Sequence, residues 1–285
     1  MNNIIWLASY PKSGNTWFRI FLTNLMHNPD EPADINRLEN IRVASSRRLF
    51  DDNMWIEASD LTEEEVDSLR PELYRQLSNE ASDPFFLKIH DAFTLVGKDL
   101  CLVPPAATRC VLYFIRNPLD VAVSLAHHEG IGTDRAIERL NDETFCFCNE
   151  PGRLDIQLRQ RLSDWSGHIR SWTNAPGLDL HVVRYEEMIS DPLATFGRAS
   201  RFAGLTPGPA RLKKAIRFSD INELRRQEKR SGFAEKSPSS PSFFNRGRAG
   251  TWKKVLNRRQ VQAIVDRHHP MMQKFGYLDH KGNLA

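Results

Sequence analysis

Cysteine is scarce: the 285 residues hold four, at 101, 110, 146 and 148, with no C-x-x-C pair and no histidine at zinc-finger spacing. That excludes a disulfide framework and a structural zinc site, and reduced thiols in a cytoplasmic protein are expected. Long apolar runs are lacking too. Ile4-Ile5-Trp6-Leu7-Ala8 stops at Ser9-Tyr10-Pro11-Lys12, too short for a signal-peptide core or a membrane span. Glycine (15) and proline (16) are too few for a collagen-like chain, and 40% hydrophobic with 26% charged side chains rules out disorder. Charge of one sign is also missing, since 39 Lys+Arg against 36 Asp+Glu leave a formal +3. The basic cluster Lys213, Lys214, Arg217, Arg225, Arg226, Lys229 and Arg230 is interleaved with Asp220, Glu223 and Glu228, as a solvated helical face would be. No nucleic-acid partner is expected, and no internal repeat is present.

What is there reads as alternating strands and helices. Ile4 to Ala8 is a short apolar strand, and Thr16 to Met26 has helical periodicity through Trp17, Ile20, Phe21 and Leu25. Phe85 to His90 and Arg109 to Arg116 are further strands, the latter almost continuously apolar, as in a parallel strand buried on both faces. Pro118 opens a helix through Val121, Ala122 and Leu125, Leu180 to Tyr185 is a fourth strand, and Gln260 to Phe275 is an amphipathic terminal helix. An acidic helix over Glu63 to Leu77, started by Thr62, is expected to break near Pro71. The fold class is α/β, with a central, mostly parallel sheet and helices on both faces. One domain over 1–285 is expected, with irregular or helical insertions at about 28–84 and 126–175. Residues 228 to 250 carry Lys229, Arg230, Lys236, Arg246 and Arg248 among Ser, Pro and Gly, a composition that predicts a mobile basic lid without core packing.

The chemistry concentrates in Ser9-Tyr10-Pro11-Lys12-Ser13-Gly14-Asn15-Thr16-Trp17, between the first strand and the first helix. There, successive backbone N–H groups and a helix N-terminus converge, so an anion such as a phosphate is held by donors and dipole together. Lys12 adds a point charge; Ser13, Asn15 and Thr16 add short donors. A nucleoside-triphosphatase loop, G-x-x-x-x-G-K-[ST], is not matched, because Lys12 precedes Gly14 by two residues and no Gly-Lys-Ser/Thr follows.

Tyr10 to Trp17 closely resembles the 5'-phosphosulfate loop of sulfotransferases that use 3'-phosphoadenosine-5'-phosphosulfate (PAPS), T/S-Y-P-K-S/A-G-T/N-T-W. Arg116-Asn117-Pro118-Leu119-Asp120-Val121-Ala122-Val123-Ser124 is similar to the same family's 3'-phosphate element, R-N-P-x-D-x-x-x-S, which implies that Arg116 and Ser124 touch that phosphate. Asn245 to Lys253 resembles R-K-G-x-x-G-D-W-K, departing at Asn245 and Thr251. The resemblance implies a lid donating from Arg246 and Gly247, with Arg248 standing in for the missing charge. Tyr185-Glu186-Glu187 resembles the Y-E-D/E element, where the tyrosine lies near adenine.

Lys88-Ile89-His90 matches a K-x-H that supplies a lysine near the transferring group and a histidine as general base, and strand alternation puts Lys88 and His90 on one side. The resemblance implies a P-loop-like three-layer fold and transfer of a sulfuryl group from PAPS to a hydroxyl (or amine) of a small-molecule or natural-product acceptor, with Lys12, Lys88 and His90 catalytic and no metal required. A homodimer is compatible with it. Trp55, Phe93, His127 and His128 are candidates for the acceptor pocket, each equally readable as core or surface. A nucleotide kinase-like phosphotransferase would instead depend on Mg, and a non-catalytic nucleotide-binding protein would bind nucleotide without turnover.

Overall fold

The computed structural model describes residues 2–38, 41–149, 155–245 and 247–285. The chain divides into two compact units, the first from residues 1–10, 40–113 and 143–182, the second from 11–39, 114–142 and 183–285.

The first unit is built on the sheet. Its strands are β1 (Ile4–Ser9), β2 (Ile41–Val43), β3 (Phe85–Ile89), β4 (Thr108–Ile115) and β5 (Leu180–Arg184), in the order β2-β3-β1-β4-β5. The last two residues of β4 and of β5 belong to the second unit. β1 pairs with β3 in parallel from Ile4↔Phe85 to Ala8↔Ile89, and β2 pairs with β3 in parallel from Ile41↔Phe86 to Val43↔Lys88. β1 is buried throughout and β4 at every residue but Arg109, as expected of parallel strands covered on both faces. The edge strand β2 falls inside the segment whose sequence predicts irregular or helical structure; three residues are too few to show a period of two. Trp6 donates from Nε1 to Thr108 Oγ1 at 2.9 Å and meets Tyr74 edge-on at 5.1 Å.

The helix Glu63–Glu80 begins with a capping box between Thr62 and Glu65. It runs through Pro71 instead of breaking there, which corrects the expectation from sequence. Proline costs about 3 kcal/mol in a helix interior, and here Val66, Leu73, Tyr74 and Leu77 bury one continuous face that offsets it.

The second unit is helical. In Asn15–His27, Phe18, Ile20, Phe21, Leu22 and Leu25 are buried, with Phe18 stacked on Phe196 at 5.6 Å and tilted against Phe114 at 4.9 Å. Pro118–Glu129, Pro192–Phe202 and Pro209–Phe218 each start on a proline, whose missing N–H is no loss at a first helical position. Arg258–Lys274 closes the unit, capped by Asn257 and Gln260.

The segment 228 to 250 also departs from its composition. The helix Ile221–Ser231 takes its first residues, and Phe233 and Phe244 are buried with Ile20, Ile35 and Leu224, with Phe243 packed against them. Ser, Pro and Gly dominate its count, but three phenylalanines carry enough apolar area to seat it. Glu228 adds a clamp, accepting from the backbone N–H of Phe243 and Phe244 at 2.6 and 3.0 Å.

The result is an α/β fold with a parallel sheet flanked by helices, the class expected from the sequence. Among the described residues no helix is long and apolar enough to cross a membrane.

Candidate functional site

In the second unit the Lys12–Trp17 turn is shaped by two left-handed residues, Lys12 at φ 67° and Gly14 at φ 99°. Gly14 is the N-cap of the helix Asn15–His27, so the cap residue offers no side chain to that end, and no acidic residue lies in its first turn. The partial positive charge of the helix start therefore faces no protein anion of its own turn. Ser13 is 1% exposed, and its Oγ is buried without a hydrogen-bond partner among the described residues. Leaving such a hydroxyl unmet costs about 1–3 kcal/mol, which a bound oxyanion would recover.

Arg116, directly after β4, reaches into the same turn. Its guanidinium donates to the Lys12 carbonyl at 3.0 Å and, at 3.5 Å, to the Arg248 carbonyl, while its Nε is buried with no partner among the described residues. It stacks at 4.1 Å over the ring of Tyr185. Burial pushes the Tyr185 phenol up, against the pull of Arg116, so the ring stays neutral. Ser13 Oγ–H and Arg116 Nε–H can both donate and, among the described residues, meet no acceptor. An anion with several oxygens would satisfy both.

Tyr185 also explains why residue 14 is glycine. A Cβ there would sit 2.8 Å from Tyr185 Cδ2 at a φ of +99°. Gly14→Ala is therefore expected to cost about 1–2 kcal/mol in backbone strain besides displacing the ring. Thermal unfolding checks it: a melting midpoint lowered by about 2–8 °C, with nucleotide binding weakened in the same variant.

Of the other expected site residues, Asn15 is buried, and Thr16 and Trp17 are half-buried. Trp17 donates from Nε1 to the Ser219 carbonyl at 2.8 Å and meets Tyr185 edge-on at 6.0 Å. Ser124 lies half-buried in Pro118–Glu129. The Lys12 Nζ rests 4.2 Å from the centre of the Phe243 ring, a cation–π contact between turn and lid. Gly247 has φ 57°, and a Cβ there would lie 2.5 Å from Ile221 Cγ1. Arg248 is exposed, and Arg246 lies outside the described residues.

Asp120, the aspartate of the R-N-P-x-D pattern, has a role that only the folded chain reveals. Its two oxygens accept from Gly250 N at 2.7 Å and Trp252 N at 3.0 Å, fastening the far end of the lid segment.

In the first unit, Lys88 is buried and His90 half-buried at the carboxyl end of β3. His90 Nδ1 lies 2.8 Å from the Ser9 carbonyl and 3.2 Å from Ser9 Oγ. A carbonyl can only accept, so Nδ1 carries the proton, and the neutral ring's lone pair is on Nε2. The next residue, Asp91, is clamped by Arg70 with two bonds of 3.0 and 2.7 Å and accepts from Arg161 N at 3.1 Å. Burial works against the Arg70 charge, yet Asp91 beside it holds its pKa well above the ordinary value.

The acceptor-pocket candidates are divided between the two units, Trp55 and Phe93 in the first and His127 and His128 in the second. Trp55 is 90% exposed, and Phe93 meets Trp172 edge-on at 5.9 Å. His127 Nε2 lies 2.8 Å from the Ser242 carbonyl, and His128 is edge-on to Phe243 at 5.9 Å.

Residues 2–276 match the family described as the sulfotransferase domain. Rat sulfotransferase 2A6 is 24% identical over 268 residues, covering 90% of this chain and 80% of that protein. Cytosolic sulfotransferase 1 of Arabidopsis thaliana is 23% identical over 272 residues, covering 90% and 75%. Among solved structures, a mouse sulfotransferase complexed with PAP has a TM-score of 0.61 at 18% identity, covering 96% of this chain and 86% of that one.

Proposed function

Because the chain belongs to the sulfotransferase domain family, and its reaction is sulfuryl transfer, we propose that the donor is PAPS and the acceptor a hydroxyl (or amine) of a small molecule or natural product. The observation that carries the donor assignment is the cradle around Gly14, where the helix starts on a residue that offers no side-chain cap and, among the described residues, the Ser13 hydroxyl and the Arg116 Nε–H lack protein acceptors. A phosphotransferase is not favoured, since the turn lacks the Gly-Lys-Ser/Thr that such chemistry uses.

In this reading Lys12, Ser13, Gly14, Asn15, Thr16 and Trp17 hold the 5'-phosphosulfate. Arg116 and Ser124 hold the 3'-phosphate together with Arg246, Gly247 and Arg248 of the lid, and Tyr185 lies along the adenine. When bound, PAPS supplies an activated sulfuryl group whose bond to the phosphate breaks as the acceptor oxygen attacks in line. His90 takes the acceptor's proton on Nε2, the nitrogen left basic by its bond to the Ser9 carbonyl. Lys12 and Lys88 set positive charge against the negative charge that grows during transfer. The protein works in the cytoplasm, without a metal.

Calorimetry with PAP, the desulfated nucleotide, tests the assignment. One-to-one binding is expected, weakened about 10-fold or more when the 3'-phosphate is absent, because arginine then has no phosphate for its charge-assisted bonds. Equal affinity for both nucleotides would remove the roles given to Arg116, Ser124 and Arg246.

A further inference from the structure

Past the end of β3, Ala92 N donates to the Arg161 carbonyl at 2.7 Å, and three further bonds to residues 90–93 come from one helix, Trp165–Thr173, within the same unit. His168 Nε2 lies 2.9 Å from the His90 carbonyl, Trp172 Nε1 donates to the Asp91 carbonyl at 3.0 Å, and Ser171 Oγ accepts from Phe93 N at 3.0 Å. Positions 168, 171 and 172 are spaced i, i+3, i+4 and so share one helix face.

The bonds of His168 have a fixed direction. The His90 carbonyl only accepts, so Nε2 of His168 carries a proton. Burial lowers the pKa of this fully enclosed ring to about 4, which keeps it neutral at the pH where a histidine base works. Its Nδ1 is then an acceptor, and the Tyr113 hydroxyl, 2.8 Å away, donates to it. Burial also holds the Tyr113 phenol well above its ordinary pKa, so that proton stays in place. Tyr10, edge-on to His168 at 5.5 Å, closes the packing around the ring.

We propose that His168, oriented by Tyr113, is a positioning residue for sulfuryl transfer: it fixes the His90 carbonyl and thereby holds the His90 ring against Ser9 with its lone pair on Nε2. The proposal rests on the reading of His90 as the base. The backbone carbonyl and the ring of one residue are only a few bonds apart, so releasing the carbonyl lets the strand end turn and stretches the 2.8 Å bond from Nδ1 to Ser9. A catalytic group displaced by about 1 Å loses about 10²-fold in rate.

The test uses the full chain with its nine histidines labelled with nitrogen-15, the His90 signals being assigned by their loss in His90→Asn. In the wild type, His90 is expected to read as the Nδ1–H tautomer, and His168 as an Nε2–H tautomer that does not titrate between roughly pH 8 and pH 5. His168→Leu keeps the bulk and removes the donor. It is expected to move the two His90 nitrogen shifts toward a tautomer average and to lower kcat about 10-fold or more, with the Kd for PAP unchanged. His168→Gln, which carries an amide N–H near the place of Nε2–H, is expected to restore both. Should His168→Leu not fold, Tyr113→Phe serves, since it frees His168 to take the other tautomer and withdraw its proton from His90. Unchanged His90 shifts in either folded variant would overturn the proposal. Failure of the base reading shows separately, as full turnover by His90→Asn.

Discussion

Lys12→Ala is expected to lose turnover by about 10²-fold or more while its Kd for PAP changes by no more than a few-fold. The asymmetry follows from what the side chain and the main chain of residue 12 each do. Arg116 donates to the Lys12 carbonyl, a group alanine keeps. The left-handed φ of 67° strains alanine and lysine alike, because both carry a Cβ, so the turn need not rearrange. Alanine does forgo the cation–π interaction of Nζ with Phe243, worth about 0.5–1 kcal/mol at an open site. The charge disappears as well, and a charge opposite a breaking S–O bond acts on the transition state far more than on the bound ground state. Single-turnover rates beside calorimetric affinities separate the two. A variant that only raised KM would make Lys12 a binding residue.

How far the sequence reaches depends on how local each feature is. The strand Ile4–Ser9, the glycine at 14, the Arg116-Asn117-Pro118 stop and the Thr62 cap are written in adjacent residues, and each stands within a residue or two of its expected place. The bonds that hold the candidate site are not local. Asp120 meets the Trp252 backbone 132 residues later, and His168 meets His90 across 78 residues. No periodicity records such pairs. The same limit explains Pro71: the local rule breaks a helix there, and only the burial of Leu73, Tyr74 and Leu77 reveals why it continues. Composition misleads for a different reason in 228 to 250, where Phe233 and Phe244 decide the packing while serine and proline decide the count.

His90→Asn is the substitution that separates base chemistry from architecture, and it is expected to cost about 10²- to 10⁴-fold in kcat on an alcohol acceptor. An asparagine amide can place an N–H near the position of Nδ1, so the bond now made to the Ser9 carbonyl at 2.8 Å has a substitute, while the basic Nε2 is gone. The Asp91–Arg70 clamp and the His168 bond to the residue-90 carbonyl involve groups that the substitution leaves alone. Protonated imidazole cannot accept a proton, so the wild-type rate falls on acidification, and that limb is expected to vanish from the residual rate of the variant. Acceptor acidity sharpens the test. A hydroxyl already ionised at assay pH, such as that of 4-nitrophenol, has no proton to give up, and the penalty of His90→Asn is expected to shrink toward unity for it. An equal loss on an alkanol and on the nitrophenolate would mean that residue 90 holds the acceptor or the chain in place and takes no proton.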